Sequence, residues 1–396
     1  MGMVRIVINE HRMFFIQRIH KLDIELTNEN YARGMVSSGD STRTAFFIQK
    51  LRDSRPITYA AIGGSITGGA NASSPELSYV SRFGQWLDSK THCRTINAGI
   101  GATTSMFGAY RAHDDILSAS PDIITIEFAV NDTCNPDTAG SFEWLVRQCV
   151  DQPQMPLVIL IFTMCHDGSN LQNIHIPIGR HYGLPMLSFR DAIYPDIASG
   201  QLSWPELSSD DVHPNDDGHR FISEMLIRFL ELCDNSSGNL NSDNPVRTLP
   251  CPLIKNASRY FYGKVTDAAA MNIISNNGWK QQLHESNRSR YVGWSADSPG
   301  ATITIEFEGS IAILGYRKYA GDYGKVFVCV DNKPLTILDG FYEKPAIQKW
   351  AGGHTVLEII YDEPLSAKHR VAIKLLQDTH PDSHGHLFEI GYLLIS

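Results

Sequence analysis

The sequence predicts an α/β domain followed by an all-β domain, and three observations carry this. From about 57 to 235, short apolar runs alternate with stretches of helical period. From about 257 to 396, apolar runs with period-two alternation are separated by loops rich in Gly, Asp and Pro. Between the two halves the stretch SSGNLNSDNPVRTLPCP (236–252) is polar and punctuated by glycine and proline, as a linker or strap would be. At 396 residues the chain is also too long for one comfortable core.

In the first half, strands are expected at 57–62 (ITYAAI), 94–97 (RTIN), 122–128 (DIITIEF), 157–162 (LVILIF) and 185–188 (PMLS). Helical stretches fall between them at 79–90, 105–118, 140–150 and about 170–183, with a last helix at 216–233. Asp216 and Asp217 favour the first turn of that helix, where the macrodipole is positive. Such alternation means a parallel sheet covered on both faces. In the second half, strands are expected at 301–308, 310–315, 325–330, 354–361, 370–376 and 387–394, as an antiparallel sandwich or jelly roll. The expected domains are an N-terminal extension packed on the rest (1–56), the α/β domain (57–235), a linker (236–256) and the β-sandwich (257–396).

Composition excludes several classes. Hydrophobic residues make up 42% and charged residues 19%, an ordinary globular balance. A net charge of −9 and no basic stripe argue against nucleic acid. The seven cysteines (93, 134, 149, 165, 233, 251, 329) are odd in number and form no C-x-x-C pair. This speaks against a disulfide framework or a zinc knuckle. Residues 1–30 lack the apolar run of a signal peptide, no window is long enough for a membrane span, and Gly2 lacks a Ser or Thr at position six. A cytoplasmic protein with reduced thiols is expected, without membrane partners and without metal or organic cofactor.

The chemistry-bearing residues follow the strands. Ser65 comes directly after the strand at 57–62 and two glycines, in ITYAAIGGSITGG (57–69). Glycine permits the sharp turn, but a serine hydroxyl also needs a base and donors aimed at an oxyanion. A phosphate loop is the rival reading of this glycine-rich segment, yet no lysine stands in the P-loop position. Gly99, in Asn97-Ala98-Gly99, and the Asn131-Asp132 pair lie past the second and third strands, at the ends where open parallel sheets bind ligands. Asp210 and His213 lie in SSDDVHPNDDGH before the last helix, with Pro214 fixing the chain and Asn215 suited to cap the helix. Asp-x-x-His lets a loop fold the carboxylate back on the imidazole. Asp211 is the rival orienter, and metal ligation by Asp210, Asp211, His213 and His219 is the rival chemistry.

Together these residues resemble the SGNH, or GDSL-like, hydrolase superfamily, with blocks GGSIT (63–67), NAGIGATT (97–104), AVND (129–132) and DDVH (210–213). The resemblance covers roughly 57–233. It implies a three-layer α/β/α domain with a flavodoxin-like parallel sheet, Ser65 as nucleophile, His213 as base and Asp210 as its orienter. Gly99 and Asn131 are implied as oxyanion donors. Two positions depart from the family pattern: Gly64 replaces the aspartate usual before the serine, and Ala129 the glycine that usually opens the third block.

The layout with a C-terminal sandwich is similar to two-domain mannan and xylan acetylesterases, whose second domain resembles a carbohydrate-binding module. The expected activity is therefore removal of O-acetyl groups from oligosaccharides through an acyl-enzyme. Trp204, Trp144, Asn170, Gln172 and His166 are expected at the substrate rim, where aromatic faces and amides suit a sugar. His380, His384 and His386 read as polar surface. One of the loops 316–334 and 375–389 is expected to face the catalytic mouth. A lysophospholipase or thioesterase, and a non-catalytic carbohydrate-binding protein, are the competing functions. A homodimer is the expected assembly.

Overall fold

The computed structural model describes residues 25–134, 136–236, 249–255, 257–260, 263–286, 289–342 and 354–396. The first domain begins before residue 57. It comprises α1 (Asn28–Gly34), β1 (Met35–Ser38), α2 (Ser41–Arg52), β2 (Ile57–Gly63), α3 (Tyr79–Lys90), β3 (Cys93–Gly99), α4 (Ser105–Asp115) and β4 (Ile123–Glu127). It continues with α5 (Pro136–Val150), β5 (Leu157–Phe162), α6 (Gln172–His181), β6 (Pro185–Ser188), α7 (Phe189–Ala198), α8 (Trp204–Leu207) and α9 (Asp216–Ser236).

The sheet order is β1-β6-β5-β4-β2-β3, with β2 to β6 parallel and β1 antiparallel on β6. Without β1 this is the 2-1-3-4-5 order of doubly wound sheets, whose switch point lies between β2 and β4. β4 and β5 are buried at every position, because helices cover both faces. α9 turns Phe221, Ile222, Met225, Leu226, Phe229 and Leu230 into the core, an i, i+4, i+8 stripe with its shoulder. α3 adds Tyr79, Val80, Phe83 and Leu87 on the same face and is capped by Ser78, which accepts from Ser81 N–H.

The stretch expected as an extension is integral to this domain. β1 enters the sheet, Asn30 Nδ2 donates to the Ala192 carbonyl at 2.8 Å, and Arg33 meets Asp196 at 2.8 Å. Residues 1–24 lie outside the described residues, as do 237–248 of the linker. The rest of the linker is docked on α5. The backbone N–H groups of Leu253 and Ile254 both donate to the buried Glu143 carboxylate at 2.6 Å, and Arg147 donates to the Pro250 carbonyl.

The second domain has β7 (Lys264–Asp267), β8 (Asn272–Asn277), β9 (Lys280–Ser286), β10 (Ser289–Ala296), β11 (Thr302–Lys318), β12 (Gly324–Val330), β13 (Lys333–Asp339), β14 (His354–Thr379) and β15 (Phe388–Ile395). All pairings are antiparallel, in one continuous nine-stranded network rather than two separate sheets. The cause is β11 and β14. Each reads as two strands in the sequence but runs through as one, with a register shift at Gly309/Ile311 in β11. The domain's core holds Trp279, Ile303, Ile305, Val326, Val328, Val371, Ile373, Phe388 and Ile390.

The two domains share a third apolar cluster. Phe107 and Tyr110 of α4 meet Tyr260, Ile311, Ile313 and Leu394. The Phe107 and Tyr392 rings lie 5.0 Å apart, and Tyr260 donates to Asp137 at 2.6 Å. The two loops 316–334 and 375–389 meet each other: Tyr323 bridges Leu387, and His384 N–H donates to the Gly321 carbonyl. His380 stacks on Phe341. Among the described residues, no helix is long and apolar enough to cross a membrane.

Candidate active site

Three strand ends lie side by side at the switch point. Gly63 of β2 is in register with Gly99 of β3 and with Glu127 of β4. The chain leaves β2 through Gly63 and Gly64, so Ser65 sits on a tight turn above the sheet. The loop from 208 to 214 brings the base to it. Ser65 Oγ and His213 Nε2 are 2.9 Å apart, and His213 Nδ1 is 2.8 Å from Asp210 Oδ2. Asp210 Oδ1 accepts from the backbone N–H groups of His213 (2.6 Å) and Val212 (2.8 Å), the fold-back that the Asp-x-x-His spacing predicts.

Partial burial alone would raise the Asp210 pKa. The hydrogen bonds from the His213 ring and from the His213 and Val212 amides outweigh it and hold the carboxyl well below the usual range. Ser208 Oγ shares its one proton between the Asp210 and His213 carbonyls, 2.7 and 2.6 Å away, and Asn215 caps α9 by accepting from Asp217 and Gly218. Asp211, the rival orienter, faces His166 at 3.9 Å. His219, named in the rival metal reading, is buried. Its ring nitrogens meet the Ala70 carbonyl and the Tyr79 N–H, and burial lowers its pKa to about 4.

Unengaged donors stand on the segments next to the nucleophile. The Ser65 N–H, the Gly101 N–H and the Asn131 Nδ2 have no hydrogen-bond partner among the described residues. Gly99 is a correction. Its N–H donates to Asn97 Oδ1 at 2.9 Å, and its Cα abuts the Thr67–Gly68 backbone. The glycine beside the nucleophile is Gly101, where an added Cβ would lie 3.6 Å from Ser65 Cβ. Asn131 is held by its neighbour: Asp132 Oδ1 accepts from Ser105 N–H at 2.7 Å, and Oδ2 pairs with buried His175 at 3.0 Å. His175 in turn stacks on Phe142 with centroids 3.7 Å apart.

These parts support nucleophilic acyl transfer: a hydroxyl beside a base, a base beside a carboxylate, and free donors around the reacting atom. Residues 61–221 match the family model of the GDSL-like Lipase/Acylhydrolase family. The α/β domain is a GDSL-like acylhydrolase domain. No curated protein sequence matches the chain. Among solved structures it is similar to a two-domain esterase (CEX) active on acetylated mannans. The identity is 28% and the TM-score 0.81, over 92% of this chain and 98% of that one. The same esterase co-crystallized with mannopentaose matches with the same identity and TM-score over 94% of this chain.

Within this GDSL-like domain the departure at Gly64 has a steric reason. A Cβ there would lie 2.2 Å from Asn131 Oδ1, so the Asn131 amide occupies the space a side chain would take. Asn131 Oδ1 is buried there without a donor, which costs free energy and leaves Nδ2 as the working end.

The rim differs from expectation. Only His166 is exposed beside the base loop. Gln172 is buried, bonded to Ser188 and Asp191. The Asn170 amide donates to the Thr163 carbonyl at 2.7 Å, and Trp204 Nε1 donates to the Asp210 carbonyl at 2.7 Å. Trp144, on α5, packs against both the α/β core and the inter-domain cluster. Gln172 is thus withdrawn from the surface, whereas Asn170, Trp204 and Trp144 are half-buried.

Glu127 lies buried under the nucleophile turn and accepts from Thr163 (2.6 Å) and Thr67 (3.3 Å). Burial, with the nearby Asp132 charge, raises its pKa to about 7 against the opposing hydrogen bonds. The folded state therefore binds this proton more tightly than the unfolded chain. Stability falls as pH rises from the ordinary glutamate range to about 7, by on the order of 3 kcal/mol from this group. Denaturant unfolding at pH 5 and pH 8 should show Glu127→Gln gaining on the wild type at the higher pH. A difference independent of pH would contradict this reading.

Proposed function

We propose that this protein is a serine carbohydrate esterase that removes O-acetyl groups from mannan- or xylan-derived oligosaccharides. The observation that carries the reading is the likeness, across both domains, to an esterase active on acetylated mannans. The hydrogen-bonded run from Ser65 through His213 to Asp210 supports the chemistry.

In this reading Ser65 Oγ attacks the acetyl carbonyl carbon while His213 Nε2 takes its proton. The C–O double bond opens to an oxyanion that accepts from the Ser65 N–H, the Gly101 N–H and Asn131 Nδ2. Each such donor is worth about 2.7–4 kcal/mol in the transition state. His213 then gives the proton to the departing sugar oxygen as the C–O single bond breaks, leaving acetyl-Ser65. Water, deprotonated by the same imidazole, hydrolyses the acyl-enzyme, and acetate leaves with Ser65 reprotonated. Asp210 stabilises the imidazolium formed in both halves.

The test is a substrate series: p-nitrophenyl esters of rising chain length, then acetylated mannan and xylan oligosaccharides. kcat/KM should peak at acetate, and acetate should be released from the oligosaccharides. A peak at octanoate or longer would replace the sugar reading with a lipid one.

A further inference from the structure

The loop leaving the nucleophile turn carries one polar side chain that reaches the acid–base pair and that the proposed chemistry does not use. Asn71 Nδ2 donates to Asp210 Oδ2 at 3.0 Å and to the His213 carbonyl at 3.3 Å. With this bond Asp210 accepts from four donors: the His213 and Val212 amides, the His213 ring and Asn71. That fills a carboxylate's capacity. The neighbouring residues tie the same two segments together. Ser73 N–H and Oγ both donate to Asp216, at 2.8 and 2.6 Å, and His219 Nε2 meets the Ala70 carbonyl at 2.9 Å. The strand-to-loop exit that presents Ser65 is thus stitched to the loop that presents the base.

The backbone at Asn71 is left-handed, with φ 64°. Glycine adopts this conformation freely and asparagine tolerates it. The conformation alone therefore does not call for an amide. What asparagine adds over glycine is the pair of hydrogen bonds to Asp210 and His213.

We infer that Asn71 is a positioning residue for this esterase. It fixes the Asp210 carboxylate and the His213 main chain relative to the Ser65 turn, so that the imidazole meets the hydroxyl at hydrogen-bond distance. It touches neither substrate nor the reacting atoms and acts through Asp210 and His213. The inference rests on the esterase reading for its kinetic consequence but not for its structural one.

The experiment compares wild type, Asn71→Gly and Asn71→Ala. It measures kcat and KM on p-nitrophenyl acetate, the thermal midpoint, and the downfield NMR resonance of the His213 Nδ1 proton. Asn71→Gly should lower kcat by about 10–100-fold with KM within about twofold, since a small misplacement of a catalytic group costs on this scale. Its thermal midpoint should fall less than that of Asn71→Ala, because glycine suits the backbone. Asn71→Ala should lose kcat equally and lose thermal stability as well, because alanine is strained at positive φ. The Nδ1 resonance should broaden or move upfield in both. A purely backbone role predicts a different order: Asn71→Gly like wild type in kcat and resonance, with only Asn71→Ala impaired. That result would overturn the inference. If the wild type cleaved no ester while the resonance still moved in Asn71→Gly, the esterase reading would fall and the positioning role would stand.

Discussion

Ser65→Ala should lower kcat on acetyl esters by on the order of 10⁶-fold, the loss seen when the nucleophile of a serine hydrolase is removed. The hydroxyl is the only atom deleted, and its one hydrogen-bond partner among the described residues is the His213 ring. The turn itself is held by backbone bonds that alanine retains, from Gly68 N–H to the Gly64 carbonyl and from Ala70 N–H to the Ser65 carbonyl. The variant should therefore fold, with unchanged circular dichroism and thermal midpoint. Residual hydrolysis would come from direct attack of water on the ester carbonyl, with the donors still holding the oxyanion. A second feature makes the experiment sharper. Nucleophile and base act as one unit, so Ser65→Ala with His213→Ala should cost little more than Ser65→Ala alone. Burst kinetics with p-nitrophenyl acetate should also vanish, since no acyl-enzyme can form. A loss below a hundredfold would point to another nucleophile. Additive losses would mean that the 2.9 Å contact between the two side chains is not a working pair.

Much of this site is legible in the sequence because its parts follow strands whose burial leaves a plain mark. β4 and β5 are unbroken apolar runs, and Ser65 and Asn131 stand just beyond β2 and β4. The Asp-x-x-His loop is legible because the contact is local. What failed was the choice between glycines. Gly99 ends β3 and Gly101 lies two residues beyond it, but Asn97 folds its carboxamide onto the N–H two residues on, the usual Asx turn, and so uses up Gly99. Asn71 and Ser208 were missed because their partners lie across loops, and a side chain's amide or hydroxyl does not announce where it will point.

The burial of Gln172 is not legible for a related reason. Trp204, Asn170 and Gln172 have the chemistry a sugar likes, but the protein had already used their polar atoms. At the fold level, β1 is four residues of MVSS on an antiparallel edge, too short for a period to show. β8, with sequence NIISNN, is largely exposed and so lacks the alternation that marks β12. β14 was split in expectation at DEPLSAKH. Residues 363–366 there have no ladder partner on β11, which is where Pro364, lacking an N–H, is tolerated.

Asp210→Asn should lower kcat by about 10⁴-fold while leaving Ser65 and His213 in place, the cost of imposing the wrong imidazole tautomer. The hydrogen-bond geometry sets the sign. Oδ1 accepts from two backbone amides, so the carbonyl oxygen of an asparagine must take that position. Its NH₂ then faces His213 Nδ1 and the Asn71 amide, both of which donate to Oδ2 in the wild type. Nδ1 has to become the acceptor, the ring proton moves to Nε2, and Nε2 can no longer accept from Ser65. The substitution also sets donor against donor at Asn71.

Stability should change with a definite pH dependence. The folded-state pKa of Asp210 lies below its unfolded value, so its carboxylate stabilises the fold above the ordinary aspartate range, about 4. That contribution is lost as pH falls from there toward the folded pKa. Denaturant unfolding should therefore show Asp210→Asn less stable than wild type at pH 7, with the gap narrowing as pH drops below about 4. Asp211→Asn is the control. Its carboxylate stands 3.9 Å from the exposed His166 and makes no bond to His213 among the described residues, so kcat should stay within about twofold of wild type. If Asp210→Asn kept kcat within tenfold while Asp211→Asn abolished it, the orienting carboxylate would be Asp211. The fold-back of Asp210 onto its own loop would then be a matter of loop structure alone.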